Sequence, residues 1–273
     1  MTKQDVLEDL VENAVSRRKF AKSALAAGFA IGAAGLVDGG SSEAQAQSLT
    51  DVDILNFALN LEYLEAEFYT VVTTGRRIAD IGIGVTGVGT QGATTGGGMV
   101  ALDDRAAQVA LNLANEEQMH VRFLRTALGS AAVAKPAINL EALNAGFRNV
   151  TEFLTVARAF EDLGVTAYNG AAPLIRSSSI LAAAAGIALT EAQHAGVLRF
   201  LVYDRNIPVP QLDRSDVPPL GSPNGRVFNV FAEGLTPART PSQVLAIAYA
   251  NTAAGTRRGG FFPNGVNGTI AAV

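Results

Sequence analysis

Four long stretches of the chain repeat apolar residues every three or four positions. The first runs from Asp51 to about Thr73, with Leu55, Leu59, Glu62, Ala66 and Tyr69 on one stripe. The second, Asp103 to Leu128, carries Ala106, Ala110, Leu113, Glu117, His120 and Leu124. The third, Arg148 to Asn169, carries Leu154, Ala157, Glu161, Gly164 and Tyr168. The fourth, Ser178 to about Tyr203, carries Ile180, Ala184, Ile187, Glu191, His194 and Leu198. This is the period of an amphipathic helix, and it predicts an all-α four-helix bundle. Residues 74–100 are Gly/Thr-rich and predict a long loop or small hairpin. Gly129 predicts the end of the second helix. Residues 130–147 predict a crossover, because roughly twenty residues reach up to about 60 Å, enough to pass from one end of a bundle to the other. Residues 204–240 are Pro-rich and extended. Thr240-Pro241-Ser242-Gln243 then has the form of a capping box with Pro at the first helical position, which predicts a short helix through Asn251. A Gly/Asn-rich tail follows. The expected organisation is an address segment over 1–46, the bundle over 47–203, and an irregular extension over 204–273 that packs on the bundle or a neighbouring subunit.

Polar residues inside these apolar stripes carry the chemistry. The two histidines of the chain both end a Glu-x-x-His sequence, Glu117-Gln118-Met119-His120 and Glu191-Ala192-Gln193-His194. Positions three apart lie on one helix face, so each pair aims two metal-ligating side chains the same way. The second and fourth helices share Glu-x2-His-x3-Leu-Arg, ending in Arg125 and Arg199. The first and third share Glu-x-Leu-x4-Tyr, as Glu62, Leu64, Tyr69 and Glu161, Leu163, Tyr168. The chain is therefore two helix pairs with one polar layout. Packed about a pseudo-twofold axis, they bring four carboxylates and two imidazoles to the bundle centre. Carboxylates in an apolar stripe are unfavourable unless paired or metal-bound. Two divalent cations would offset the four negative charges, and bridging glutamates hold such pairs about 3.5–4 Å apart. The bland alternative is two histidines satisfied by buried acids without metal, which leaves Glu62 and Glu161 unexplained. Glu65, one turn from Glu62, reads as a solvated helix residue or as a substitute ligand. Arg125 and Arg199 read as surface residues, and Asp162 as a solvated charge. Thr94 to Gly98 lacks a following Lys and does not read as a phosphate loop.

Composition narrows the metal. The chain has no cysteine, which excludes disulfides, iron–sulfur clusters and thiolate zinc sites. A transition metal must then use Glu, Asp and His, which suits iron or manganese without choosing between them. Hydrophobic content of 48% against 17% charged residues describes a core-rich protein, and a net charge of −4 gives no reason to expect nucleic acid as a partner.

The N-terminus reads as an address. Ser16-Arg17-Arg18-Lys19-Phe20-Ala21-Lys22 resembles the twin-arginine export motif, an Ala/Gly-rich apolar run follows over 21–37, and Ala44-Gln45-Ala46 has the small-x-small form of a cleavage site. Cleavage after Ala46 is expected to start the mature chain near Gln47. The run is short and Gly-rich for a span, so no stable membrane anchor is expected after cleavage. The expected location is the periplasm or another exported compartment.

The ligand set resembles that of ferritin-like di-iron or di-manganese carboxylate proteins, in which two helices each give one Glu and the other two each give Glu-x-x-His. The resemblance implies Glu62, Glu117, His120, Glu161, Glu191 and His194 as ligands of two divalent metals, with Tyr69 and Tyr168 in a supporting or redox role. Asn60-Leu61-Glu62 with Tyr69 is similar to the first ferritin helix, where a tyrosine lies seven residues after the ligand. With the export signal and the Gly259-Gly260-Phe261-Phe262-Pro263-Asn264-Gly265 tail, the layout is similar to bacterial ferritin-like proteins related to plant desiccation-related proteins. The loop after the first helix is longer than in storage ferritins, which argues against their 24-subunit cage, although a homo-oligomer is compatible with the sequence. No cysteine-bound iron domain of the rubrerythrin kind is expected. The resemblance implies a redox enzyme acting on a small oxidant, peroxide or dioxygen, as a catalase-like enzyme or a ferroxidase. The alternative is a non-enzymatic stress or desiccation-related envelope protein with a structural or vestigial metal site.

Overall fold

Each long helix begins where its sequence supplies a cap. In the computed structural model, which describes residues 49–220 and 225–273, α1 spans Asp51–Thr74. Thr50 caps it in a reciprocal box with Asp53, and Gly75 ends it in the left-handed conformation. The second helix, α2, spans Asp104–Leu128 behind an Asp103 cap and stops at Gly129. Then α3 spans Val150–Ala171 behind Asn149, two residues later than the periodicity suggests, and α4 spans Ser178–Asp204 behind Ser177. A short α5, Pro241–Ala248, follows its Thr240–Gln243 capping box. The protein is all-α, with the bundle predicted from the apolar stripes. Its N-terminal address, including Arg17, Arg18 and Ala46, lies outside the described residues.

The order of the helices forces the long connections. Asp51 at the start of α1 accepts backbone N–H bonds from Arg176 and Ser177, just before α4. At the other end, Val100 donates to the Val72 carbonyl, and Arg205 after α4 grips Asp103 before α2 through bonds of 2.5 and 2.8 Å. Thus α2 runs antiparallel to α4, and the chain must cross the bundle's length between α2 and α3.

The loop at 75–103 does not fold back on itself as a hairpin. It forms a 3-10 turn at Ile78–Ile81 and a two-residue strand β1, Thr94–Thr95, which pairs in parallel with β2, Ile138–Asn139, in the crossover. Loop and crossover together cover α1, which explains why nearly all of that helix is buried rather than one face. Glu67 of α1 accepts from the Thr94 hydroxyl and the Ile78 N–H, and the buried Lys135 ammonium joins them. The tail closes over the same surface. Asn267 exchanges bonds with Asn60 of α1 and reaches Thr90 and Ala134.

Residues 204–220 and 225–240 pack against α3 and α4 through buried charges the sequence did not reveal. Arg199 and Asp162 are buried, not solvated. Arg199 donates to Asp162 at 2.6 Å and to the carbonyls of Val217, Arg226 and Val227. Arg158 donates to Asp162 and to Asp216, and Arg239 forks onto Asp213 at 2.7 and 2.9 Å. The repeat survives here in altered form. Arg125, half-buried, donates to the Tyr63 hydroxyl at 2.5 Å, and Tyr63 is the repeat mate of Asp162.

Removing Arg199 would leave Asp162 short of a partner and three carbonyls unpaired. Arg199→Ala should destabilise the fold by about 3–5 kcal/mol, and Arg199→Lys should recover little, lacking the planar fork. Equilibrium denaturation of the two variants measures this.

Candidate metal centre

The apolar stripes of α1 and α3 each bring one polar residue to the bundle centre, and those of α2 and α4 each bring two. Glu62 comes from α1, Glu117 and His120 from α2, Glu161 from α3, Glu191 and His194 from α4. All six are buried; the four glutamates are at most 1% exposed, His120 is 9% and His194 5%. The six fall into two groups of four whose ligand atoms all lie within 4.8 Å: Glu62, Glu117, His120 and Glu191, and Glu117, Glu161, Glu191 and His194. Glu117 and Glu191 belong to both groups. That sharing is what two Glu-x-x-His helices facing each other produce.

Both imidazoles turn Nδ1 inward. His120 Nδ1 lies 3.2 Å from Glu62, 3.0 Å from Glu117 and 3.3 Å from Glu191. His194 Nδ1 lies 3.0 Å from Glu117 and 3.1 Å from Glu161. A single N–H cannot serve two or three carboxylates. Five buried carboxylate oxygens accordingly have no hydrogen-bond partner: Glu62 Oε2, Glu117 Oε1, Glu161 Oε1 and both oxygens of Glu191. Unpaired buried carboxylate oxygens converging on imidazole nitrogens are a donor set suited to a cation, hard oxygens with borderline nitrogens. The residues fit a divalent metal pair.

The electrostatics tell the same story. Burial and the Glu62 charge push Glu117 up to about 7. Glu191 is driven well above the usual carboxylate range by burial and by Glu117 and Glu161. Burial likewise works to raise Glu62, but the His120 charge and hydrogen bonds outweigh it and hold Glu62 below its ordinary value. Burial alone would lower both histidines; the carboxylates around them prevail, raising His120 strongly and His194 to about 12. Without metal, the centre answers its own repulsion by holding protons.

Supporting residues follow. Tyr168 donates to Glu62 Oε1 at 2.5 Å. Its repeat mate Tyr69 instead donates to the Ala157 carbonyl at 3.4 Å, and burial, then the nearby Glu161 charge, drive its phenol well up. Glu65 is buried, contrary to its reading as a solvated residue. Burial and then Glu191 and Glu161 drive its carboxyl well up. It fits because Gly164 opposite has no side chain: a Cβ there would sit 2.5 Å from Glu191 Oε2 and 3.3 Å from Glu65 Oε1.

The sequence reading missed Glu116, whose Oε2 lies 2.5 Å from the outward His194 Nε2. Its only sequence signal is the Glu116-Glu117 doublet, which the second Glu-x-x-His helix lacks. Glu116, Met119 and His120 of α2 with Thr190, Gln193 and His194 of α4 line a cleft of about 300 Å³, through which the histidine edges meet the surface.

The profile described as Ferritin-like domain matches residues 50–204. The chain is 24% identical over 270 residues to "Ferritin-like catalase Nec2" of Nesocodon mauritianus, covering 81% of this chain and 85% of the relative. It is 25% identical over 178 residues to "Desiccation-related protein PCC13-62" of Craterostigma plantagineum, covering 57% of this chain and 54% of the relative. With its bundle matched from end to end, the chain belongs to the ferritin-like domain family.

Proposed function

We propose that this protein is an exported dimetal-carboxylate enzyme that disproportionates hydrogen peroxide to water and dioxygen. The observation that carries the reading is the set of five unpartnered carboxylate oxygens facing two imidazole nitrogens at the end of a surface cleft. Glu62, Glu117, His120 and Glu191 would hold one metal, iron or manganese, and Glu117, Glu161, Glu191 and His194 the other. When bound, such a pair supplies a two-electron couple, which takes electrons from one peroxide and returns them to the next, so that two peroxides give one dioxygen and two waters.

The chain's own residues set the conditions. The cleft admits a molecule of peroxide size and brings it to the ring edges of His120 and His194. Tyr168 holds one oxygen of Glu62 by a short hydrogen bond, fixing that carboxylate's orientation. Its phenol is kept protonated by burial and the Glu62 charge. Disproportionation needs no outside electron donor, in keeping with a chain that has no cysteine for a second redox centre. Similarity over most of both chains to a relative named as a ferritin-like catalase supports this choice over ferrous oxidation or a purely structural site. Export rests on the Arg17-Arg18 motif and the Ala44-Gln45-Ala46 site. The twin-arginine route carries folded proteins, so metal would be loaded before transport.

Metal-loaded protein should contain close to two metals per chain and release oxygen from peroxide. Oxygen release should vanish in Glu161→Ala, and most metal in the His120→Ala/His194→Ala double variant. Oxygen evolution and ferrous oxidation, followed side by side on iron-loaded and manganese-loaded samples, decide the reaction. Ferrous oxidation with little oxygen would make it a ferroxidase, and neither activity would leave a structural site.

The metal-free chain should lose stability as pH rises. Glu65, Glu117 and Glu191 are raised, so the folded chain holds protons that the unfolded chain releases above 4.5. Between 4.5 and about 7 this stabilisation is lost as Glu117 ionises. Above 6.5 the raised histidines act in the same direction, while Glu62, which is lowered, acts only below 4.5. The unfolding midpoint at pH 8 should therefore lie roughly 5–10 °C below that at pH 5.5. Saturating manganese should reverse the order, because metal competes with protons for the same oxygens.

Replacing both Arg17 and Arg18 by Lys should leave uncleaved precursor in the cytoplasm. Cell fractionation with detection of the precursor checks this, and normal export of the double variant would remove the twin-arginine assignment.

A further inference from the structure

The internal repeat makes Glu116, which precedes Glu117, the mate of Thr190, which precedes Glu191. Glu116 reaches across the cleft to His194 of the opposite helix, with Oε2 2.5 Å from Nε2. By the repeat, Thr190 is the residue that would serve His120 in the same way. Its hydroxyl donates instead to the Gly186 carbonyl one turn back, at 3.3 Å. Among the described residues no side chain bonds to His120 Nε2; the contacts of that ring are all made by Nδ1. Both residues line the cleft with both histidines, so the difference lies in what each can reach with, a carboxylate or a short hydroxyl.

A metal-ligating imidazole binds through one nitrogen and is oriented by whatever holds the other. Both histidines present Nδ1 to the carboxylates, so Nε2 is the orienting nitrogen in each. The Glu116 carboxylate holds Nε2 of the His194 ring, and with a cation on Nδ1 it would keep the remaining proton on Nε2. It also makes the imidazole a better donor. His120 has no such partner.

We propose that Glu116 makes the two halves of the centre unequal: the divalent cation held by Glu117, Glu161, Glu191 and His194 binds more tightly than the one held by Glu62, Glu117, His120 and Glu191. Glu116 acts through His194 and is a positioning residue. This inference rests on the two-metal reading of the centre.

The test is titration of the metal-free full chain with manganous ion, followed by calorimetry in single-histidine backgrounds. With His120→Ala the remaining half-site keeps Glu116's partner, and adding Glu116→Ala should weaken binding about 10–100-fold. With His194→Ala the same change should have little effect, within about twofold, because its partner is gone. Glu116→Gln still offers an oxygen to Nε2–H and should recover most of the loss. Thr190→Glu in the otherwise wild-type chain supplies the missing mate and should tighten the weaker site. The Glu116 side chain is 39% exposed, so the metal-free variants should unfold within about 3 °C of their parents, whereas a merely structural residue would move that midpoint and not the affinity. Equal weakening in both backgrounds would reveal a general charge effect and overturn the proposal, as would no weakening in either, or a Gln variant as weak as Ala. Failure of the underlying reading looks different: the wild-type chain would take up no manganese at all, and the inference would fall with the centre.

Discussion

Four glutamates held out of water within reach of one another are the constraint to which the rest of the bundle answers. Like charges at this spacing oppose folding, and the six residues cannot satisfy themselves, since two Nδ1 atoms stand against the seven carboxylate oxygens left once Tyr168 holds Glu62 Oε1. The helices must nevertheless converge, because each carries its glutamate in the stripe that also carries its apolar core residues. Packing and repulsion thus act on the same surfaces. A cation pair would relieve the repulsion through the donor set itself, whereas protons relieve it at that set's expense.

A second set of buried charges lies outside the first and obeys different arithmetic. Arg158, Arg199 and Arg239 meet Asp162, Asp213 and Asp216, three against three, with further donors taken up by backbone carbonyls and the Thr166 hydroxyl. That network balances its charges, leaving only Arg158 Nε without a partner among its described atoms, and joins residues 204–220 and 225–240 to α3 and α4. The inner cluster does not close, and its leftover oxygens are what distinguishes a place for a ligand from a structural clamp. The two sets are adjacent in sequence, Glu161 beside Asp162, and diverge because neighbouring helix positions point about 100° apart.

The bundle was legible because period and polarity coincide: Glu62, Glu117, His120, Glu161, Glu191 and His194 each occupy a core position, and a polar residue there demands a partner. The Thr240–Gln243 cap was legible from its local pattern, whereas the caps at Thr50 and Ser177 emerged only with the structure. What escaped was set by distant chain. Asp162 and Arg199 read as solvated because their partners, Asp216 and the carbonyls near Val227, come from an extended segment with no periodicity to place it. Residues 74–100 read as loop or hairpin because the partner strand, Ile138–Asn139, lies across the crossover. Glu65 read as solvated because its place inside the bundle depends on Gly164 of another helix, which makes room for it beside Glu191. Glu116 escaped because its partner sits on another helix, and only the broken repeat at Thr190 hints at it.

Duplication leaves one more trace, at Gly164. Its mate in the first helix is Glu65, so the two helix pairs cannot be interchanged at this level. One helix offers an extra acid, and the other gives up even a Cβ to house it beside Glu191. Because Glu191 serves both halves of the centre, a single methyl group at position 164 would press on a shared ligand and disturb both halves at once. The inequality at positions 65 and 164 thus makes α1 and α3 different neighbours of the shared carboxylates, and neither helix can stand in for the other.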